Sequence, residues 1–314
     1  MSLYIKRLFE FMNVKFVEER GECKKLWEEF SPHLSIFDEW DFRFSFLNFF
    51  EYKLHFVLLE DDNQNVGLLP LWYISEQNKY FWFGDIGDGF NWQEENSFWV
   101  KDKKYLKFLM ESCPKSTVLN SLKENACDFL IGDERLSRSN PKQLLIMDEI
   151  HSVDDFLMTV DKKLRQNLRR DKKRVEDLNP EIVFDHFEDF EALMKFNSDK
   201  FLDSPFKDNR MVKTFNHVIE NGKSGAKYKS RMISVKVNGE IVGVDLNFIC
   251  GDIYYTMLCG NDTEKCPGIG HFLTMLDMQD ALSMGVKLID FAESDEGSYK
   301  EKLFKTLPQF VITI

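Results

Sequence analysis

Residues 231–260 read RMISVKVNGEIVGVDLNFICGDIYYTMLCG. Three β-rich runs are joined by two tight turns. The run 232–237 ends at Asn238-Gly239, the strongest two-residue hairpin signal, because the turn it favours needs positive φ at both central positions. The run 241–249 follows, then a turn at Gly251-Asp252, then the run 253–259. The pattern predicts an antiparallel meander. Along its middle strand Gly243, Asp245 and Asn247 share one face, and Val242, Val244, Leu246 and Phe248 share the other.

The same arrangement occurs upstream. Residues 54–84, LHFVLLEDDNQNVGLLPLWYISEQNKYFWFG, hold three β-rich runs separated by polar turns at 61–65 and 75–78. Val66-Gly67 aligns with Val242-Gly243 and Gly84 with Gly260, at an offset of 176 residues and with the two glycines 17 residues apart in each copy. A shared dipeptide, spacing and strand order predict a duplicated α/β unit. The 314 residues then divide as 1–150 and 151–314, each a mixed β-sheet flanked by helices.

Between the copies lies DKKLRQNLRRDKKRVEDLN, residues 161–179, with Leu164, Leu168, Val175 and Leu178 at helical spacing and Pro180 as a stop. Residues 162–174 carry eight basic side chains and one acidic one. Without that stretch the chain holds 33 basic against 52 acidic residues, so a net charge of −12 conceals an uneven distribution. The helix reads as a solvated face or as an anion-attracting wall beside a cleft.

After the second meander the order is strand, glycine-containing loop (260–270), helix (269–284, ended by Gly285) and strand (287–292). A glycine loop at a helix N-terminus suits an anion: unpaired amides point outward and the helix dipole adds positive potential. Lys265-Cys-Pro-Gly268-Ile269-Gly270 resembles the [Gln/Arg]-x-x-Gly-x-[Gly/Ala] pyrophosphate loop of the GNAT N-acyltransferases, with Lys265 in place of the planar side chain. Asp290-Phe-Ala-Glu293 followed by Tyr299-Lys300, and Arg165-Gln-Asn-Leu168-Arg169-Arg170 upstream, resemble stretches of a tandem-GNAT subgroup, the CelD-like acetyltransferases related to the FemAB peptidyltransferases. The resemblance implies a fold of two GNAT-like units and acetyl-CoA or another acyl-CoA as co-substrate, held at Lys265, Gly268, Ile269 and Gly270. It also implies N-acyl transfer to an amino group of a small molecule, such as a cell-envelope or polysaccharide precursor.

Acyl transfer to an amine needs a base to take the ammonium proton and an acid for the departing thiolate. The resemblance points to Tyr299 as the acid, one residue into a segment that reads as a helix over 298–304. Asp245, on an otherwise apolar strand, and Glu293, just past its own strand, are the candidate bases. Asp290, inside that strand, reads as structural. Lys300, Arg169, Arg170 and Tyr255 are candidate contacts for an anionic donor or for the acceptor. Cys266 has His271 five residues on, an unforced pairing that does not point to covalent catalysis. The upstream loop Gly84-Asp85-Ile-Gly87-Asp88-Gly89-Phe90 has two carboxylates and no base, so copy one is expected not to bind CoA. Its aromatic cluster, Tyr80, Phe81, Trp82, Phe83, Phe90 and Trp92, reads mainly as core, with a cleft wall as the other use.

Six cysteines without CxxC spacing read as free thiols of a reducing compartment, and six scattered histidines have no HxxxH or HExxH pairing, so no metal site is expected from spacing. The longest apolar run, 66–74, is too short to cross a bilayer, and the N-terminus lacks a signal-peptide pattern, so a cytoplasmic protein without membrane insertion is expected. The acidic balance argues against nucleic acid as a partner, except tRNA in an alternative aminoacyl-tRNA-dependent reaction favoured by the basic helix. A non-catalytic GNAT-fold binding protein is the third reading. The sequence leaves the oligomeric state open.

Overall fold

A computed structural model describes residues 12–87 and 91–314. They form two compact units, one that runs to Asn140 and takes in Pro308–Ile314, the other Pro141–Leu307. The division thus falls at 140/141, not at the 150/151 expected from length, and the chain end returns to the first unit.

The first unit contains β1 (Met12–Val17), α1 (Arg20–Phe30), α2 (Trp40–Phe50), β2 (Lys53–Leu54), β3 (Phe56–Asp61), β4 (Gln64–Leu69), β5 (Leu71–Ile74), β6 (Lys79–Trp82), β7 (Trp99–Val100), α3 (Leu106–Glu111), β8 (Val118–Lys123) and the start of β9 (Leu136–Ile146). The second contains α4 (Val153–Thr159), α5 (Lys162–Glu176), β10 (Glu181–Phe184), α6 (Phe190–Lys200), α7 (Asn209–Lys223), β11 (Tyr228–Val237), β12 (Glu240–Cys250), β13 (Ile253–Asn261), α8 (Ile269–Met284) and β14 (Leu288–Glu293). The last strand, β15 (Lys305–Thr313), pairs antiparallel with β8 through Gln309, Phe310, Ile312 and Thr313.

The duplication is visible in the ladders. In each unit a first strand, β1 or β10, lies antiparallel to a strand that follows two helices, β3 or β11. Leu59 faces Gly67 and Glu60 faces Asn65, which leaves Val66 as an extra residue. Val235 faces Gly243 and Lys236 faces Ile241, which leaves Val242 as the extra residue. The same bulge therefore sits at the aligned Val-Gly pair of both copies, and bulges are features that folds keep. Each third strand then meets a parallel partner, Tyr80 opposite Thr117 in one unit and β13 beside β14 in the other.

The upstream meander is not continuous as expected. Its middle run divides into β4 and β5, which belong to different sheets, β1-β3-β4-β7 and β2-β5-β6. Pro70 stands at the break, where it cannot donate to a ladder. Copy two has no proline there, and β12 runs unbroken from Glu240 to Cys250. Phe81, Trp82 and Phe83 are buried core, with Phe83 packed on Trp27, Trp40 and Trp72, while Phe90 lies outside the described residues. In the loop after β6, Asp85 points inward: it accepts from the Gly87 amide at 3.0 Å and from Asn120 Nδ2 at 3.1 Å. A carboxylate thus uses the local donors, and Asp88 and Gly89 lie outside the described residues.

Candidate active site

In the second unit the strands run β10-β11-β12-β13-β14-β9. Parallel pairing between β13 and β14 covers only Ile253 with Leu288, Tyr254 with Ile289 and Tyr255 with Asp290, although β13 continues to Asn261. Irregularities on both strands part them. Met257 is extra between the Leu246–Leu258 and Asn247–Thr256 pairs. On β14, Phe291 and Ala292 intervene between Asp290, opposite Leu144, and Glu293, opposite Lys142, with Ala292 at a φ of +63°. Bulges raise local twist and bend a strand away from its neighbour. The kink is anchored by Asp290, which accepts from the Ala292 amide at 2.9 Å and pairs with Lys142 at 2.6 Å, both side chains about 97–98% buried. Asp290 is thus structural, as its place inside the strand suggested.

The glycine loop meets α8 beside this opening. Gly268 is the N-cap with a φ of +98°, and a Cβ there would stand 2.9 Å from Asp171 Cβ on α5. No side chain caps α8. At Gly270 a Cβ would meet only Asn261 Nδ2, at 3.6 Å, and Asn261 Oδ1 is a buried acceptor without a partner. An open, uncapped helix start next to an unsatisfied amide fits a phosphorylated ligand that brings its own donors and acceptors. Gly268→Ala is expected to cost about 1–3 kcal/mol, from the left-handed backbone and the push against Asp171, read as a lower urea midpoint at unchanged slope.

The single acidic residue of the basic stretch is the one turned inward. Asp171 is 6% exposed and pairs with His271 Nδ1 at 2.8 Å. Burial works against its charge, but His271 and Arg170 hold it below the usual carboxylate range. His271 meets Tyr299 edge to face at 5.8 Å between centroids. Arg169 pairs with Asp154 at 3.2 Å and Arg170 with Asp171 at 3.1 Å, both guanidinia half-exposed. Leu168 and Val175 are buried as the helical spacing predicted, while Leu178 is exposed beyond the helix end.

Asp245 is 5% exposed on the face of β12 covered by α8. It is hydrogen-bonded to Asp277 of α8, and its Oδ1 has no partner. Burial, then Cys259 beside it, pushes Asp245 well above the usual carboxylate range, with Asp277 and Lys300 opposing. Cys259 is its cross-strand neighbour and is solvent-exposed. Tyr299 begins a short 3-10 turn, Tyr299–Lys302, where a longer helix was expected. Its ring is half-exposed, yet desolvation of the phenol, together with Cys259 and Asp245, pushes it up to about 12. A phenol held protonated suits an acid, and a carboxyl raised above its usual range suits a base.

The remaining expected residues fall less centrally. Lys300 Nζ donates to the Phe291 carbonyl at 2.8 Å. Lys265 is exposed and paired with Glu240 at 2.9 Å. Glu293 lies past the Ala292 kink, in register with Lys142. Tyr255 is 2% exposed and cross-strand to Phe248, on the face away from Asp245, so it is core and does not reach this group. Cys266 is buried, and His271 is committed to Asp171. Asp277, Cys259 and the Asp171–His271 pair were not anticipated; the signal for Asp277 was a carboxylate on the apolar face of α8, three residues before Asp280. A groove of about 430 Å³ between α5 and α8, lined by Lys172, Glu176, Phe272 and Met275, touches neither Asp245 nor Tyr299. Among the described residues no His, Cys, Asp and Glu group suits a metal ion, and no helix is long and apolar enough to cross a membrane.

Comparison with known proteins bears on the fold. The family described as acetyltransferase (GNAT) domain matches residues 162–301. No curated protein sequence matches the chain. Among solved structures, FemX superposes with a TM-score of 0.60 at 10% identity over 96% of this chain and 97% of its own. A tandem GNAT protein from the clavulanic acid biosynthesis pathway gives 0.54 at 10% identity, over 96% and 97%. A conserved protein of unknown function from Bacteroides thetaiotaomicron gives 0.56 at 15% identity, over 95% and 99%. The chain therefore has the mixed α/β tandem-GNAT fold, and its second unit carries a stretch matching a GNAT acetyltransferase domain.

Proposed function

We propose that the protein is an N-acyltransferase that moves an acyl group, most simply acetyl, from acyl-CoA to an amino group of a small-molecule or cell-envelope precursor, in the manner of the CelD-like tandem-GNAT subgroup. One observation carries the reading: β13 and β14 part after Tyr255 beside an uncapped glycine loop, with Asp245 and Tyr299 next to the parted strands. The pyrophosphate would rest on the amides around Gly268, Ile269 and Gly270, and the strand edge of β13 left unpaired beyond Tyr255 would receive the thioester. Asp245 would take a proton from the acceptor ammonium, so that the free amine attacks the carbonyl carbon, and Tyr299 would return a proton to the CoA sulfur. A cytoplasmic location, where acyl-CoA is made and thiols stay reduced, accords with the six free cysteines.

Acetyl-CoA at about 100 times its dissociation constant is expected to stabilise the fold by about 2.7 kcal/mol. Gly270→Glu should abolish the thermal shift with the fold intact, since space is open at that Cβ. No shift with any acyl-CoA would overturn the reading. A second reading, aminoacyl-tRNA-dependent transfer, is favoured by the basic face of α5 and the likeness to FemX. Binding of tRNA that weakens steeply with salt, without an acyl-CoA shift, would select it.

A further inference from the structure

A chain of buried polar contacts leads away from Asp245 and has no place in the chemistry described so far. Asp277 is 2% exposed and shares a hydrogen bond with Asp245. A carboxylate has no proton to donate, so a bond between two carboxyl groups requires a proton on one of them. Asn247 Nδ2 donates to Asp277 Oδ1 at 2.8 Å and to the Tyr254 hydroxyl at 2.9 Å. That hydroxyl donates to Asp280 Oδ2 at 3.0 Å. Asp280 accepts from Arg231 Nε at 2.8 Å and Nη2 at 2.6 Å, and Arg231 also reaches half-exposed Asp185 at 2.6 Å.

The charges facing the pair divide it. On the Asp245 side stand Cys259 of β13, Tyr299 and the ammonium of Lys300, with Lys200 of α6 acting on Cys259. On the Asp277 side stand the Asp280 carboxylate and Tyr254, with Arg231 of β11 already engaged by Asp280. A cation near one carboxyl and an anion near the other place the negative charge on Asp245 and the proton on Asp277.

We propose that Asp245 and Asp277 hold one proton between them, carried by Asp277, and that the Asn247–Tyr254–Asp280–Arg231 chain fixes Asp277 as the positioning residue for Asp245. The catalytic half of this assignment rests on the acyltransfer reading; the shared proton does not. It leaves Asp245 charged and aimed, with a buried Oδ1 that has no partner of its own.

The test measures stability against pH and turnover separately. A group whose folded pKa is raised stabilises fully below its unfolded pKa, and that contribution is lost as pH rises through the folded value. The wild-type melting temperature should therefore fall with rising pH more steeply than that of Asp277→Asn, which keeps a donor toward Asp245 but cannot lose a proton. Asp245→Asn should flatten the curve likewise, which covers the case in which one variant folds poorly. Parallel curves for all three proteins overturn the shared proton. In acyl transfer, Asp277→Ala should lower kcat on the order of 10²-fold with donor KM unchanged, and Asp277→Asn should restore a large part of it. Equal losses in both variants overturn the positioning role. Flattened curves in a protein that binds no acyl-CoA would leave the shared proton standing and remove the acyltransfer reading.

Discussion

Asp245→Asn is expected to lower acyl transfer by about 10²–10⁴-fold while the protein stays folded and still binds acyl-CoA. The loss corresponds to about 3–5 kcal/mol of barrier, the cost of asking water to take the ammonium proton instead of a placed carboxylate. Two features of the site predict the outcome. Asp245 lies on the face of β12 away from Tyr255 and is cross-strand to exposed Cys259. Its carboxyl is held above the usual range chiefly by burial, which makes it a stronger base than a free aspartate. The sign with pH follows. A base works when deprotonated, so kcat/KM should rise as pH rises through the lower titration of the Asp245–Asp277 pair, whereas the folding stability supplied by the pair's remaining proton falls as pH rises through the raised, upper one. Activity and stability should thus move in opposite directions with pH, and in Asp245→Asn both slopes should shrink. A pH–rate profile beside a pH series of melting curves checks this. An unchanged turnover in Asp245→Asn would remove the base and leave Glu293 as the next candidate.

Lys142→Ala should destabilise the second unit by about 3–5 kcal/mol, a large share of the 5–15 kcal/mol that holds a typical domain. Lys142 and Asp290 are 2% and 3% exposed at 2.6 Å, so truncating the lysine strands a carboxylate inside the sheet. The same carboxylate holds the Ala292 amide, and through it the kink that parts β14 from β13. The double variant Lys142→Met with Asp290→Leu should recover much of the stability, because replacing both charges removes the stranded ion. It should not recover activity, because the Ala292 amide loses its acceptor. Urea titration separates the two effects from turnover: the single variant shifts the midpoint, whereas the double variant shifts mainly kcat. A Lys142→Ala protein as stable as wild type would mean that the pair does not hold the kink.

The fold was legible because its signals are local. Asn238-Gly239, the alternation along β12 and the glycines bounding α8 each act within a few residues, and the repeat of Val-Gly at a fixed spacing marked the duplication. The bulge at Val66 and Val242 explains why that dipeptide repeats. Pro70 was as visible as those glycines, and its effect on the ladder follows from its missing amide. The glycine loop and Asp245 were likewise open to reading, since a carboxylate on an apolar strand calls for a partner.

The partner was not legible. Asp277 lies 32 residues from Asp245, and only the packing of α8 across β12 brings the two carboxyls together. Asp171 is a hundred residues from His271, hidden among basic neighbours that face solvent. Tyr255 and Tyr254 are adjacent in sequence, yet one is core and the other joins the buried polar chain, because strand faces alternate and the packing of helices decides which face carries polar partners. Residue order therefore dictated the strands, the turns, the duplicated unit and the anion-suited loop, all of which depend on short-range backbone geometry. Which carboxyls lose water, which of them meet, and where two parallel strands part were settled by long-range packing, since desolvation and charge proximity exist only once distant segments share one interior.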